Sequence, residues 1–289
     1  MKIHVGYELV FRCSRPTPMI VMLSIHDSRI ADIIKPDHML LTPSVPVTAY
    51  RDLYGNRCSR IVAPAGKIRL SGNAVVSDTG KADVVAPWLE QRPIEALPED
   101  ALLFLLGSRY CETDLLLETA QRLFGAAPTG WRRVQAICDF VHQHIQFGYG
   151  HSSPTMTAFQ AFQDREGVCR DFAHLAITFC RCMNIPARYC TGYLSDIGER
   201  PPYSPMDFAA WFEAYLGDDW YTFDPRNNTP RIGRILVARG RDAADVALTT
   251  SFGPSTLESF KVVTNEISRA AERTTGSQSR VPPSKKVSL

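Results

Sequence analysis

Gly167-Val168-Cys169-Arg170-Asp171-Phe172-Ala173-His174 decides how this chain is read. The run 169–183 has a strong helix pattern. Asn184-Ile185-Pro186 stops it, because the residue before a proline is pushed out of the helical region. Gly167 permits a tight entry, and Cys169 then falls in the first turn. Unpaired N–H groups and the helix dipole at that end stabilise a thiolate. A thiolate is the nucleophile that cysteine-dependent acyl transfer needs. The cysteine alone does not make the case, because free cysteines are commonly inert core residues.

The downstream pattern adds strands at 187–194, 208–216 and 220–223, with Gly217-Asp218-Asp219 as a tight turn rather than a metal site. Position 209 lies eight residues before Gly217 and position 224 seven after it. A hairpin therefore brings the two onto neighbouring strands. Upstream, helical spacing predicts helices over 112–123 and 131–147, the second capped by Thr129, and a short one over 157–163. Residues 1–88 are β-rich, with short β-favouring runs and a hairpin turn at Tyr54-Gly55-Asn56. The expected organisation is a β-rich domain over 1–88, a catalytic core over 89–267 with one more strand near 260–263, and a disordered Ser/Thr/Lys/Pro-rich tail over 268–289.

Composition sets limits. The chain has 289 residues, 45% hydrophobic and 21% charged, which fits about two globular domains and excludes wholesale disorder. Lys plus Arg total 32 against 30 Asp plus Glu, so nothing predicts a nucleic-acid partner. No apolar run approaches the ~20 residues that span a bilayer, so no membrane partner is expected. The N-terminus alternates like a strand and lacks a signal-peptide block, and the eight cysteines include no C-x-x-C pair. Reduced thiols in a cytoplasm are the expectation.

Three motifs in order carry a resemblance: Gly167-Val168-Cys169 with Asp171, then Ala210-Trp211 with Glu213, then Phe223-Asp224-Pro225. Pro186-Ala187-Arg188-Tyr189 and Gly192-Tyr193 fit alongside. The chain resembles the transglutaminase-like superfamily in its bacterial form, well over residues 100–265 and more loosely over 1–88. The resemblance implies an α+β fold with a papain-like core, in which the Cys-bearing helix packs on an antiparallel sheet. It also implies a Cys-His-Asp triad: Cys169 as nucleophile, a histidine at 209 as base and acid, and Asp224 orienting it. It requires no cofactor and no metal.

The chain departs at the middle member, where position 209 is Ala209. A methyl group neither takes the thiol proton nor protonates a leaving amine, so turnover of amides is expected to be very low. The intact surroundings favour an introduced inactivating substitution over a natural pseudoenzyme that only binds peptide or protein. None of the histidines at 142, 144, 151 and 174 is well placed to substitute. His151 is the one on a loop that could line the cleft. Candidate substrate-binding residues are Tyr149, His151, Asp207 and Trp211, with packing the blander role for Trp211. The backbone N–H of Cys169 and a group from the 149–153 loop are candidate oxyanion donors. The expected function is protease or amidase chemistry on a peptide or protein, with transamidation as a variant. The sequence does not specify the oligomeric state.

Overall fold

A computed structural model describes residues 1–201 and 206–267. The expected tail over 268–289 lies outside the described residues. The first part holds β1 (Lys2–Cys13), β2 (Thr17–Val21), β3 (Ile33–Lys35), β4 (Leu40–Thr42), β5 (Thr48–Arg51), β6 (Arg57–Ala63) and β7 (Gly66–Ser77). Helices follow as α1 (Glu99–Leu102), α2 (Thr113–Phe124), α3 (Trp131–His144), α4 (Ala158–Asp164) and α5 (Cys169–Cys182), with short strands β8 (Gln146–Phe147) and β9 (Glu166–Gly167) among them. The chain then forms β10 (Ala187–Leu194), β11 (Phe208–Leu216), β12 (Asp219–Phe223), β13 (Arg234–Gly240), β14 (Thr249–Ser251) and β15 (Ser255–Glu266). The structure is α+β, as the family resemblance implies.

Alternation explains the N-terminal sheets. Ile3, Val5, Leu9, Phe11 and Cys13 on β1 are buried, as are Ile68, Leu70, Ala74 and Val76 on β7. Successive side chains of a strand face opposite ways, so one face of each strand reaches the core. The strand expected near 260–263 is part of β15. β15 runs antiparallel to β1 along nearly its whole length, and β14 pairs with β2. Residues 249–266 therefore complete the two sheets begun by residues 1–77. Such pairing joins segments about 250 residues apart, which no local pattern encodes.

α5 is buried on nearly every side, from Asp171 to Cys182. A helix that is enclosed all round must satisfy its polar groups internally. Arg181 does so by donating to Ala187 O, Leu106 O, Ser108 Oγ and Arg241 O. His174 is a core residue: its Nε2 accepts from Ala243 N at 3.1 Å, and its ring stacks on Tyr110. Against α5 lies the antiparallel sheet β12-β11-β10-β13. The predicted Gly217 hairpin is present, and Gly217 has φ +59°.

Two boundaries move for identifiable reasons. The residue capping α3 is Gly130, with φ +73°, and not Thr129. A Cβ there would sit 2.3 Å from Leu89 O, so the approach of the 89–91 segment demands glycine. α3 stops at His144 rather than 147, because Gln146 and Phe147 pair in parallel with Glu166 and Gly167. That short pairing sets the entry to α5. The strand β13 was not anticipated at all.

Gly192 on β10 faces Ala209 on β11, and β10 shifts register against β13 between Thr191 and Gly192. A Cβ on Gly192 would lie 2.1 Å from Ile235 O and 2.9 Å from Val237 N, both backbone atoms. Gly192→Ala therefore forces β13 away from β10. We expect it to lower stability by about 2–3 kcal/mol in urea denaturation at an unchanged m-value. A loss within ~0.5 kcal/mol would show that the sheet does not need this close approach.

Candidate active site

Cys169 is the first residue of α5 and is partly exposed. Val168 N donates to Asp171 Oδ2 at 2.8 Å, which fixes the helix entry. Asp171 is thus the cap of α5. Its cation is Arg170 at 3.0 Å, while Arg188 pairs instead with Glu213 at 2.6 Å. The Ala210 backbone N–H lies within hydrogen-bond reach of the Cys169 thiol and favours its charged form. Burial outweighs that help and pushes the thiol up to about 11, with Asp207 and Asp224 adding in the same direction and Arg226 opposing.

A cavity of about 80 Å³ opens at Cys169. Tyr149, Asp207 and Ala209 line it, as do Asp196, Arg226 and Arg231. Asp207 accepts from Phe208 N at 2.7 Å, and burial raises its carboxyl above the usual range. The Tyr149 hydroxyl is raised too, first by burial and then by the charge of Asp207. Arg226 sits 4.3 Å over the Phe147 ring and donates to Asn227 Oδ1 at 2.6 Å. The structure thus brings together Cys169, Ala209, Asp207 and Tyr149 among the residues singled out from sequence.

The other candidates lie elsewhere. Asp224 is buried and does not line this cavity. Burial alone would raise its carboxyl, but the Arg234 guanidinium and the Asn227 hydrogen bonds reverse this and hold it below its ordinary value. Arg234 donates to Asp224 Oδ2 at 2.6 Å and to Asp83 Oδ2 at 2.8 Å. Trp211 is 2% exposed and packs with Cys190, Leu236 and Ala209, so its side chain fills the sheet rather than walling the cavity. Arg234 lies 5.1 Å over its ring. His151 faces Glu166, with Nδ1 2.8 Å from Oε2, and is not among the cavity residues.

Sequence reasoning missed Asp196, Arg226, Arg231 and Arg234. Arg226 directly follows the Phe223-Asp224-Pro225 motif, so its position beside the site was available from spacing. Arg234 belongs to β13, the unread strand.

A family model for the transglutaminase-like superfamily matches residues 118–225. A solved structure of a candidate cysteine protease from Cytophaga hutchinsonii is 31% identical, with TM-score 0.79, over 92% of this chain and 90% of that one. An uncharacterised protein of Mycobacterium leprae is 31% identical over 119 residues, which is 40% of this chain and 42% of the relative's own length. An uncharacterised protein of Mycobacterium tuberculosis (H37Rv) is 26% identical over 217 residues, 68% of each chain.

The Asp224–Arg234 pair makes a signed prediction. Asp224 lies below its ordinary value of 3.8 in the folded state. Its contribution to stability is therefore complete above that value and is lost as the pH falls through the lowered folded value. Arg234→Leu leaves a buried carboxylate without its cation and should cost about 3–5 kcal/mol at neutral pH. In the variant the Asp224 carboxyl is raised, so its penalty should shrink on acidification. Urea denaturation between pH 7 and pH 4 checks this. Parallel pH slopes in the two proteins would show that the pair does not hold Asp224.

Proposed function

The chain belongs to the transglutaminase-like superfamily, a cysteine-dependent peptidase and acyltransferase scaffold, and we propose that its Cys169 carries acyl transfer on peptide or carboxamide bonds. The observation that carries this reading is the Cys169 thiol at the first turn of α5, opening into a cavity beside the Ala210 N–H. Sγ attacks the carbonyl carbon, the C–S bond forms and the C–N bond breaks. The thiol proton leaves with the amine. Water then cleaves the thioester, releasing the acid and restoring the thiol. Hydrolysis is favoured over transamidation because water is always present, whereas an acceptor amine needs its own site. The first-turn amides of Cys169 and Arg170 and the Ala210 N–H are the donors available to a developing oxyanion, those of Asp171 and Phe172 being taken by Val168 O.

Turnover by the chain as it stands is slow in this reading. Burial of Cys169 pushes its thiol up, which disfavours the thiolate at neutral pH. Position 209 offers a methyl where the triad logic needs an imidazole. We read Ala209 as the inactivating element, because Cys169 and Asp224 are both retained. A second reading, a peptide- or protein-binding module, draws support from the buried Arg234 that already neutralises Asp224.

Ala209→His decides between the two readings. Iodoacetamide labelling of Cys169, resolved by mass spectrometry against pH, should become faster at mildly acidic to neutral pH in the variant. Hydrolysis of amide substrates should rise on the order of 100- to 10,000-fold, the usual worth of a general acid–base group. Cys169→Ser should abolish both. Equal, slow labelling in both proteins would sink the enzyme reading and put the binding module first.

A further inference from the structure

A second cavity, of about 430 Å³, meets the first at Cys169. The two share Cys169, Asp207, Phe208, Ala209 and Ala210, so the thiol stands where they join. Their chemistry differs. The first carries Asp196, Arg226 and Arg231 beside Phe147, Leu194 and Met206, whereas the second is lined by Leu9, Val246, Leu248, Leu257 and Phe260, with Arg170 the one charged group it does not share. Leu9, Leu257 and Phe260 belong to β1 and β15, so the N-terminal sheet forms one wall of a space that ends at the nucleophile.

That wall depends on a break in strand register. Val10 pairs with Ser259 and Phe11 with Leu257, which leaves Glu258 as an extra residue. In a regular strand Leu257 and Phe260, three apart, would face opposite sides. The bulge resets the alternation, so both line the same cavity. Glu258 is held outside by Arg12 and by Lys67, the latter at 2.9 Å. Leu257 and Phe260 remain 48% and 37% exposed, and Phe260 touches the ring of Phe208 at 6.1 Å. Large apolar side chains left open to solvent beside a nucleophile are an unfilled binding surface. The cavity is within the roughly 300–1,000 Å³ of small-ligand sites.

We propose that this cavity is the specificity subsite for the acyl side of the substrate. It takes a large apolar side chain, of leucine or phenylalanine type, whose own carbonyl is then presented to Cys169. The leaving side occupies the charged cavity. The N-terminal sheets, through the β15 bulge, thus select the substrate. This inference rests on the reading of Cys169 as nucleophile.

The test uses the full chain and two peptidyl chloromethyl ketones that differ only in carrying phenylalanine or glycine next to the reactive carbon. Sγ displaces chloride and forms a C–S bond, and site-resolved mass spectrometry follows Cys169. Iodoacetamide rates measured alongside correct for the reactivity of the thiol itself. The phenylalanine probe should react at least about tenfold faster than the glycine probe. Phe260→Ser and Leu257→Ser should each erase most of that ratio. If iodoacetamide labels Cys169 and the two probes react alike, the subsite is overturned while the nucleophile survives. If no electrophile labels Cys169, the nucleophile reading fails. Ligand-observed NMR with N-acetyl-phenylalaninamide and N-acetyl-glycinamide then decides the subsite alone. Equal affinities overturn it, and a phenylalanine preference lost in Phe260→Ser upholds it as a binding site.

Discussion

One buried guanidinium ties the sheet β12-β11-β10-β13 to the rest of the molecule. Arg234, on β13, lies between Asp224 at the end of β12 and Asp83 in the segment leaving the N-terminal sheets, and covers Trp211 on β11. Taking such charges out of water is expensive, and only close pairing with several hydrogen bonds compensates. The arrangement therefore tolerates one relative placement of β11, β12, β13 and the 83 segment. Arg231 extends it by donating to Ser195 O, while its own N–H binds Asp83. The position of residues 207–210 in front of α5 follows from this framework.

The electrostatics of the site follow from the same fact. In a complete triad the carboxylate awaits a transient imidazolium. Here Asp224 already has Arg234 as its cation, and position 209 beside Cys169 is a methyl group. Asp207, Asp224 and burial all favour the neutral thiol, with Arg226 and one backbone amide opposing. Burial and the neighbouring carboxylates thus hold the Cys169 thiol toward its neutral form. The scaffold that positions it is separable from the charge balance that would activate it.

The elements that position Cys169 were legible because they carry local signals. α5 and the strands β10 and β11 match their sequence reading almost residue for residue, since a stop at Pro186, strict strand alternation and the Gly217 turn are all short-range features. β13 was missed although Arg234-Ile235-Leu236-Val237 is β-favouring, because nothing nearby marks it as the partner of β10. Thr129 lost the cap position to Gly130 because of a contact with Leu89, some forty residues away in sequence. Within the site, Cys169, Asp207 and Tyr149 were found from motif and loop position. The role of Trp211 as sheet packing, and the capture of Asp224 by Arg234, needed tertiary contacts. The same holds for the wall formed by Leu257 and Phe260, which requires both the β1–β15 pairing and its bulge.

The β1–β15 pairing also constrains how the chain acquires its structure. β1 precedes the helices and β15 comes after β13, yet the two are hydrogen-bonded neighbours. β2 and β14 repeat the relation in the other sheet. Neither N-terminal sheet can close on the ribosome before residues 249–266 emerge, so β1 and β2 each keep an open edge throughout synthesis of the catalytic core. Contacts of such long sequence separation slow folding, and open strand edges recruit other chains. A chain that has emerged only as far as β13 thus carries open edges on β1 and β2, and the cavity wall beside Cys169 is absent until β15 joins β1.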